Sequence, residues 1–317
     1  MIVHANDGIS TAGVEKLEAH GHTVITTKVA QEQLISFLQE QKVDALIVRS
    51  ATQVRKELID ACPGLLLVGR GGVGMDNIDV EYAQSKGIAV VNTPAASSQS
   101  VAELVFAHLF SLVRSLQEAN RNMPLDGDTK FNELKKAYGS GIELRGKTMG
   151  IVGFGRIGRA VANMAFGLGM KVVAHDPFIT DGTVLFTLAD GQTLRCQANM
   201  VSLEDVLHTS DFITLHVGGA NTLLGAKELA FMKPGSFLIN AARGGVVDET
   251  ALLHALDHGP LAGAGLDVFV GEPHPAVQVL MHPAISLTPH IGAATGEAQD
   301  RIGEELADHV ISFAAKK

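Results

Sequence analysis

The chain has 317 residues, 46% of them hydrophobic and 19% charged, with a formal net charge of −9. This length suits about two domains with substantial cores, and the negative charge argues against nucleic acid as the main partner. No apolar run reaches the length of a membrane span and no signal-peptide pattern opens the chain, so we expect a cytoplasmic protein without membrane contact. Cys62 and Cys196 lack metal-ligand spacing, so we expect free thiols and no metal.

Short apolar runs alternate with helical patterns in the first 97 residues, which is typical of a parallel α/β domain. The runs interpreted as strands are residues 2–4, 24–27, 45–48, 65–68 and 88–91, and a helical pattern, such as residues 31–41, lies between them. These elements predict one small doubly wound sheet. The pattern of residues 295–315 predicts a final helix that returns to this domain, with its apolar face formed by Ile302, Leu306, Val310 and Phe313.

Residues 100–116 form a helical pattern that is apolar on nearly every face, so the helix should be buried on several sides. We interpret it as the crossover between two domains and as a dimer contact; a core helix within one domain is the alternative. The segment 122–141 that follows is polar and rich in turn residues, and we predict a surface loop there.

A second domain begins near Ser98, and its apolar runs predict six strands, the number in a complete dinucleotide-binding fold. These runs are residues 148–153, 171–176, 212–217, 237–241, 263–268 and 284–288. The helical pattern of residues 156–168 lies between the first two. Runs 183–188 and 192–196 flank an Asp190-Gly191 turn, which is typical of a β-hairpin.

A glycine motif, Gly153-x-Gly155-x-x-Gly158, follows the first of these strands and opens the helix. Its glycines allow a tight turn and let a pyrophosphate approach the helix N-terminus. Asp176 ends the next strand, where it would accept a hydrogen bond from a ribose 2′-hydroxyl and repel a 2′-phosphate. This arrangement predicts NAD rather than NADP. A tight strand–helix turn without a ligand is the alternative, which the agreement of strand, glycines, helix and acid disfavours.

Arg243, Glu272 and His290 each follow a predicted strand, and the carboxyl ends of parallel strands lie at one edge of a sheet. Oxidation of a 2-hydroxy acid sends a hydride to nicotinamide and a proton to a general base, for which a histidine is suited. Glu272 could hold the other ring nitrogen, and Arg243 could bind the substrate carboxylate or carbonyl oxygen. Taken singly, His290 could be an ordinary histidine, Arg243 could pair with Asp248, and Glu272 could cap a turn before Pro273. Taken together at strand ends, they favour function.

Several segments resemble the D-2-hydroxyacid dehydrogenase family over essentially the whole chain. The segments are Asn-Ala-Ala-Arg-Gly-Gly-Val-Val-Asp-Glu (240–249), Leu-Asp-Val-Phe (266–269) with Glu-Pro (272–273), Pro-His-Ile-Gly-Ala (289–293), Ile-Val-Arg-Ser-Ala-Thr (47–52), Val-Gly-Arg-Gly-Gly-Val-Gly-Met-Asp-Asn (68–77) and Gly-Ala-Ala-Thr (292–295) leading to Glu-Ala-Gln (297–299). The resemblance implies an α/β protein with a Rossmann NAD-binding domain, residues 98–289, inserted in a flavodoxin-like substrate-binding domain, residues 1–97 and 290–317. The active site would lie in the cleft between them. We expect a homodimer that forms through the NAD-binding domain.

The same resemblance implies that Arg243, Glu272 and His290 are the catalytic set, with His290 as the acid–base group. Cofactor contacts are expected at Val73, Gly153, Gly155, Arg156, Ile157, Gly158, Asp176, Val217, Ala241, Ala242, Asp267, Gly292 and Ala293. Within the family the chain is most similar to members that oxidise D-3-phosphoglycerate to 3-phosphohydroxypyruvate with NAD, the first step of serine biosynthesis. Substrate contacts are expected at Arg49, Ser50, Arg70, Gly72, Val73 and Gly74.

The choice of a phosphorylated substrate rests on cations, because a phosphate carries nearly two charges and needs such partners. Arg49 and Arg70 lie in segments that resemble the family's substrate loops, and residues 71–74 could bind the carboxylate through backbone amides. A surface ion pair is the alternative for Arg49. Lys135 and Lys136 lie where the family often brings extra positive charge toward the site, with a solvated face as the alternative.

The chain departs from the family pattern after His216, where a Thr-Pro or Val-Pro turn is usual and this chain has Val217-Gly218-Gly219-Ala220-Asn221. The hairpin around Asp190 is a second departure, inserted beside the adenosine pocket, so cofactor affinity is harder to predict than cofactor identity. No regulatory domain is expected after Lys317, nor serine inhibition through one.

Two other functions stay open. One is a reductase of glyoxylate, hydroxypyruvate or another small 2-keto acid, which would not need both Arg49 and Arg70. The other is an NAD-sensing binding protein, like the corepressors that share this fold. It would keep the dinucleotide site and add an interaction surface, and the chain shows neither a long tail nor an obvious peptide-docking insertion.

Overall fold

The computed structural model describes residues 1–219 and 221–316; Ala220, in the altered segment after His216, and Lys317 lie outside this description. The strands are β1 (Ile2–Ala5), β2 (Thr23–Ile25), β3 (Ala45–Val48), β4 (Leu67–Arg70), β5 (Ala89–Asn92), β6 (Thr148–Val152), β7 (Lys171–His175), β8 (Thr183–Thr187), β9 (Thr193–Gln197), β10 (Asn199–Met200), β11 (Phe212–Leu215), β12 (Ser236–Asn240), β13 (Leu261–Leu266) and β14 (Ile285–Leu287). The helices are α1 (Thr11–Ala19), α2 (Gln31–Glu40), α3 (Lys56–Ala61), α4 (Val80–Ser85), α5 (Ser98–Val113), α6 (Leu116–Asp126), α7 (Phe131–Ala137), α8 (Arg156–Gly167), α9 (Leu203–Thr209), α10 (Ala226–Ala230), α11 (Glu249–Asp257), α12 (Val277–Leu280) and α13 (Gly296–Ala314).

These elements form two compact units, one of residues 1–98 with the chain from Ala293 onward, and one of residues 99–292. The divisions predicted from the sequence, 97/98 and 289/290, lie within a few residues of these positions. Among the described helices, none is both long and apolar enough to cross a membrane.

The first unit is built on a parallel five-stranded sheet with the order β2-β1-β3-β4-β5. This is the flavodoxin-like order, in which the direction of strand addition across the sheet reverses between β1 and β3. Both faces are covered, because Leu46 and Val48 of β3 pack into one apolar cluster while Ala45 and Ile47 pack into the other. Alternation of buried residues on both faces is what makes such strands continuous apolar runs in the sequence.

The final helix, α13, lies on this unit as predicted. Its apolar face, formed by Ile302, Leu306 and Val310, belongs to the same cluster as β1 and β3, and the Thr295 hydroxyl caps its N-terminus by accepting from the Ala298 amide at 3.2 Å. The helix approaches α1 closely enough that a Cβ added at Gly13 would lie 2.8 Å from the Gly303 backbone.

The second unit contains a parallel seven-stranded sheet with the order β10-β7-β6-β11-β12-β13-β14. Counted among the strands of this sheet alone, this is 3-2-1-4-5-6-7, so the Rossmann order is present with one further strand. All six predicted strands are there. The prediction missed β10, the third strand of the order, because it is only two residues long and carries no periodic pattern.

Helices cover both faces of this sheet. On one face α5 and α8 contribute Phe106, Leu109 and Val161 to a cluster with β6, and on the other α9 and α11 contribute Leu207 and Leu252. Helix α5 leaves one stripe exposed in the described chain, formed by Gln99, Glu103, Ala107 and Phe110.

The prediction of a surface loop at residues 122–141 is wrong, because α6 and α7 occupy most of that segment. Neither helix has a buried residue, so neither carries the apolar periodicity that marks a helix in sequence. Lys135 and Lys136 lie in the last turn of α7. There they complement the negative end of the helix dipole.

The predicted β-hairpin is confirmed as β8 and β9, which pair antiparallel. Gly191 supplies the positive φ of the turn, 86°, and Asp190 accepts a hydrogen bond from the Gln192 amide. Arg159 of α8 donates to the carbonyl oxygens of Asp181 and Thr183 at the base of the hairpin, and its guanidinium lies 5.0 Å from the centre of the Phe154 ring. The hairpin is therefore anchored to the glycine segment that precedes α8.

Candidate functional site

The three glycines of the motif have different surroundings. Gly153 has a φ of 92°, and a Cβ there would lie 2.4 Å from the His216 carbonyl oxygen. A Cβ at Gly158 would lie 2.2 Å from the Gly153 carbonyl oxygen. Gly155 has a φ of −73°, and a Cβ there would meet no atom within 4 Å. The protein's own packing explains the first and third glycines, whereas the second faces open space.

That open space lies at the N-terminus of α8, a helix of twelve residues with Gly155 as its N-cap. No side chain caps this end, and its first turn contains no acidic residue. The first amides of a helix lack intrahelical acceptors and carry a partial positive charge. The end of α8, with Arg156, Ile157 and Gly158 in its first turn, therefore fits a pyrophosphate, and the open side of Gly155 gives it room.

Asp176 follows β7, next to this glycine segment. Its Oδ2 accepts a hydrogen bond from the Phe154 amide at 2.8 Å, and its Oδ1 accepts from the Phe178 and Ile179 amides at 2.9 and 3.1 Å. A carboxylate oxygen has two lone pairs, so Oδ2 keeps one for a further donor. The carboxylate is thus fixed beside the glycine segment with acceptor capacity left for a ribose hydroxyl.

His216 and Val217 follow β11, the strand across the switch point from β6. Burial lowers the pKa of His216 to about 3, so its ring is neutral. Its Nε2 lies 3.0 Å from the Thr214 hydroxyl, and its Nδ1 is buried without a hydrogen-bond partner in the described residues. His216 was not among the predicted site residues, although its position at the end of a predicted strand is visible in the sequence. Val217 is half-buried against the apolar cluster beneath it.

His290 and Glu272 are in direct contact. His290 Nδ1 lies 2.8 Å from Glu272 Oε2, and Glu272 Oε1 accepts from the Phe269 amide at 2.8 Å. Because a carboxylate only accepts, Nδ1 carries the proton and Nε2 is left for a substrate. The His290 side chain is 46% exposed, and its backbone has a φ of 55°, in the left-handed region. Such a conformation costs about 1–3 kcal/mol and is typical of functional sites.

Asp267 holds the segment that carries His290 and is only 1% exposed. Its Oδ1 accepts from the Thr288 hydroxyl at 2.7 Å and from the Ile291 amide at 2.8 Å, and its Oδ2 accepts from the Gly292 amide at 2.8 Å. The carboxylate is therefore bonded on both sides of His290. Asp267 therefore holds the segment that carries His290, and its predicted contact with a cofactor stays a prediction.

Arg243 follows β12, the neighbour of β13. Asn240 shapes this turn, because its Oδ1 accepts from the Ala242 amide and its Nδ2 donates to the Arg243 carbonyl oxygen. Arg243 Nη1 donates to the Ala242 carbonyl oxygen at 2.7 Å. A Cβ added at Gly244 would lie 2.0 Å from the Phe269 carbonyl oxygen, so the two strand ends meet closely. Arg243, Glu272 and His290 thus follow three consecutive strands of the sheet, β12, β13 and β14.

In the first unit a cavity of about 430 Å³ lies at the carboxyl ends of β1, β2 and β3. Its lining includes Lys28, Arg49 and Ser50, together with Asp7, whose carboxylate accepts from the Arg49 and Thr52 amides. The Arg49 guanidinium makes no hydrogen bond or ion pair to residues 1–219 or 221–316. Lys28, a cation that follows β2 and lines the same cavity, was not predicted from the sequence.

The other residues predicted to contact the substrate lie at the end of β4 and in the segment that follows it. Arg70 Nη1 donates to the Gly71 carbonyl oxygen at 3.1 Å, and its guanidinium lies against Gly72, whose φ is 137°. The amide of Gly71 donates to the Val48 carbonyl oxygen and that of Gly72 to the Thr93 hydroxyl. The amides of Val73 and Gly74 have no such partner in the described residues, so only these two can serve the predicted carboxylate site.

The family model for the NAD binding domain of D-isomer specific 2-hydroxyacid dehydrogenase matches residues 106–292. The chain belongs to this dehydrogenase family. It is 38% identical to the D-3-phosphoglycerate dehydrogenase of Bacillus subtilis, over 98% of this chain and 57% of that protein. It is 37% identical to the hydroxypyruvate reductase of Thermotoga maritima, over 97% of this chain and 96% of that protein. The glyoxylate reductase structure from Paecilomyes thermophila superposes with a TM-score of 0.82 at 28% identity, over 100% of this chain and 96% of that one.

The chain spans about half the length of the curated D-3-phosphoglycerate dehydrogenases that it matches, 57% and 52% for two of them. The match to a dehydrogenase NAD-binding domain supports an NAD(P) cofactor, and the glycine segment and α8 N-terminus fit its pyrophosphate. The remaining residues that were predicted to contact the cofactor lie in both units. Ala241, Ala242 and Gly292 lie in the second, whereas Ala293 lies in the first and accepts from the Gln299 side chain at 2.7 Å.

Proposed function

We propose that the protein oxidises D-3-phosphoglycerate to 3-phosphohydroxypyruvate with NAD, the first step of serine biosynthesis. The observation that most supports hydride-transfer chemistry is the His290–Glu272 pair on a strand end of the sheet that carries the glycine segment. An acid–base pair on the same sheet as a dinucleotide-binding motif is what a hydride-transfer enzyme needs.

NAD held at the glycine segment and the α8 N-terminus would supply the acceptor for the hydride that leaves the hydroxyl-bearing carbon. His290 Nε2 takes the hydroxyl proton as this happens, because Nδ1 is already committed to Glu272. The Glu272 carboxylate stabilises the positive charge that develops on the ring. Arg243 binds and orients the substrate carboxylate or carbonyl oxygen through its guanidinium. In the reverse direction His290 returns the proton to the carbonyl oxygen.

We propose NAD rather than NADP because Asp176 is fixed beside the glycine segment by three backbone amides. A carboxylate held there accepts from a ribose hydroxyl and repels a phosphate attached at the same position. The three hydrogen bonds from backbone amides hold the Asp176 side chain in place, so it does not rotate away to make room for a 2′-phosphate.

The phosphorylated substrate is supported by cations in the first unit. Lys28 and Arg49 line one cavity, and the Arg49 guanidinium has no protein partner among the described residues, so it is available to an anion. We assign the substrate phosphate to Arg49, Arg70 and Lys28. We assign the substrate carboxylate to the backbone amides of Val73 and Gly74, with Ser50 and Gly72 as further substrate contacts. Lys135 and Lys136 remain further candidates for the phosphate.

The second candidate is a reductase of hydroxypyruvate or glyoxylate. One observation favours it: the chain matches the hydroxypyruvate reductase of Thermotoga maritima over 96% of that protein's length, whereas it spans about half of the matched D-3-phosphoglycerate dehydrogenases. The same acid–base pair and cofactor segment would serve this reaction, and only the cations that hold a phosphate distinguish the two.

Steady-state kinetics with NAD and a panel of D-3-phosphoglycerate, D-glycerate, glycolate and D-lactate tests the proposal, together with the reverse reaction on each keto acid. Arg49→Ala should lose a charge-assisted contact of about 1.5–3 kcal/mol, or about 10- to 150-fold in kcat/KM, with the phosphorylated substrate alone. The matched control is Arg55→Ala, which removes a neighbouring arginine that pairs with Asp79. An equal loss on phosphorylated and plain substrates would show that Arg49 is structural and would favour the reductase.

We further propose a cytoplasmic homodimer that forms through the NAD-binding domain. Phe110 on the exposed stripe of α5 supports it, as do exposed apolar side chains in the helices that follow, Leu116, Met123, Leu125 and Phe131. The free thiols of Cys62 and Cys196 suit a reducing compartment. Sedimentation analysis of the wild-type protein and of Phe110→Glu tests the dimer.

A further inference from the structure

His108 of α5 is a buried histidine that the reaction outlined above does not use. It is 2% exposed, and both ring nitrogens have hydrogen-bond partners: Nδ1 lies 2.9 Å from the Ser286 hydroxyl and Nε2 lies 3.0 Å from the Thr288 hydroxyl. The strand beside it leaves room for the ring only because residue 265 is glycine, since a Cβ there would lie 2.8 Å from the His108 Cβ. The ring is therefore held in one place and one orientation.

The direction of each hydrogen bond around His108 follows from the groups it meets. Asp267, as a carboxylate, can only accept, so the Thr288 hydroxyl donates its one proton to Asp267 Oδ1. Thr288 must then accept from His108, which places the proton on Nε2. Nδ1 is left as an acceptor for the Ser286 hydroxyl, and burial lowers the pKa of His108, which keeps the ring in this neutral form.

The chain of donors ends at Asp267, the carboxylate that holds the backbone on both sides of His290. Ser286 donates to His108, His108 to Thr288, and Thr288 to Asp267, whose carboxylate also accepts from the Ile291 and Gly292 amides. Thr288 lies before His290 in the chain and Ile291 directly after it. Because the His290 backbone is in the left-handed region, it stays there only while both flanks are held.

We propose, on the basis of the function proposed above, that His108 is a positioning residue for the reaction. In its Nε2–H form it orients the Thr288 hydroxyl onto Asp267, and Asp267 then holds the segment that presents His290 to Glu272 and to substrate. A histidine 182 positions earlier in the chain thus sets the alignment of the proton-transferring ring.

Three variants separate positioning from a general role in folding. His108→Leu removes the donor to Thr288, His108→Gln keeps a donor because its side-chain amide can take the place of Nε2, and Thr288→Val removes the link from the other side with little change in shape. Ser286→Ala is the matched control, because it removes the bond at Nδ1 and leaves the bonds from Nε2 onward intact. Stoichiometric NADH binding, measured by fluorescence, counts the folded sites in each preparation without requiring turnover.

We expect His108→Leu and Thr288→Val to lower kcat per NADH-binding site by about 10- to 100-fold, the size of a small misalignment of a reacting group. Substrate KM should change little, and the solvent deuterium isotope effect on kcat should rise as proton transfer becomes limiting. His108→Gln should recover most of the rate, and Ser286→Ala should lose no more than about threefold, because the bonds that reach Asp267 remain. A purely structural role would lower the number of binding sites and leave kcat per site and the isotope effect unchanged, which would overturn the proposal.

The wild-type protein provides a test that needs no variant and no turnover. Long-range ¹H–¹⁵N correlation spectra, with His108 assigned by difference from His108→Gln, should show the Nε2–H tautomer. The Nδ1–H tautomer would reverse the donor chain and refute the proposal even if the enzyme is active. Failure of the wild-type protein to turn over any 2-hydroxy or 2-oxo acid would instead refute the proposed function, while the tautomer would still be measurable.

Discussion

Replacing Gly155 with alanine should separate cofactor binding from folding. The added Cβ meets no atom within 4 Å, and a φ of −73° is open to alanine. Alanine is a poorer N-cap than glycine by up to about 1 kcal/mol, whereas loss of glycine's freedom in the unfolded chain returns about 0.4–1 kcal/mol. The two effects nearly cancel, so the free energy of unfolding should stay within about 1 kcal/mol of wild type.

The same methyl group should weaken coenzyme binding strongly. It would project into the open space at the N-terminus of α8, where a pyrophosphate needs direct access to the helix amides. Displacing the pyrophosphate from one charge-assisted hydrogen bond costs about 1.5–3 kcal/mol, which corresponds to an increase of about 10- to 150-fold in the NADH Kd.

NADH titration by fluorescence and denaturant unfolding of the ligand-free protein measure the two quantities on the same samples. Gly158→Ala is the matched control, because its Cβ would lie 2.2 Å from the Gly153 carbonyl oxygen. That variant should lose about 1–3 kcal/mol of stability from overpacking. An unchanged NADH Kd in Gly155→Ala would refute the placement of the pyrophosphate, and a large loss of stability would refute the reasoning about open space.

Three further predictions follow from the described contacts. His290→Ala should lower kcat by about 10²–10⁴-fold with little change in NADH affinity, and Glu272→Gln should lower kcat to a smaller extent because the ring loses its carboxylate partner. Near-wild-type kinetics in His290→Ala would remove the proposed mechanism. Turnover at equal cofactor concentrations should be faster with NAD than with NADP, and Asp176→Ser should bring the two turnover rates closer together. Equal turnover with both cofactors in the wild type would contradict the role of Asp176. Burial lowers the pKa of His4 and His108, so the unfolded chain binds protons first as the pH falls. The free energy of unfolding should therefore decrease below about pH 6.5, by up to about 1.4 kcal/mol per pH unit for each histidine, and His4→Gln should flatten that slope in urea titrations at pH 5.5 and 7.5.

Much of the fold was predictable because buried parallel strands are continuous apolar runs bounded by turn residues, and the glycine motif fixes the place of the first Rossmann strand. The contact between His290 and Glu272 was accessible for a related reason, since both residues follow strands that end at one edge of a sheet. Whether a residue follows a strand depends only on its neighbours in the chain, so it can be predicted from the sequence.

The features that were missed have no such local signature. Helices α6 and α7 have no buried side chain, so their polar sequence resembles a loop. His108 lies in an apolar helix, and its partners Ser286 and Thr288 are 178 and 180 positions away, which no periodic pattern reveals. Lys28 follows a strand of only three residues, and its significance depends on a cavity that exists only once β1, β2 and β3 are side by side.

The way in which Arg159 holds the hairpin bears on how this region can evolve. Its guanidinium donates to the carbonyl oxygens of Asp181 and Thr183, which every amino acid supplies, and it also lies over the Phe154 ring. Substitutions in β8 and β9 therefore leave the anchor intact as long as the backbone keeps its path. We expect the hairpin to tolerate substitutions and insertions during evolution without a change in the glycine segment. A foreign loop grafted onto the hairpin should likewise leave coenzyme affinity unchanged.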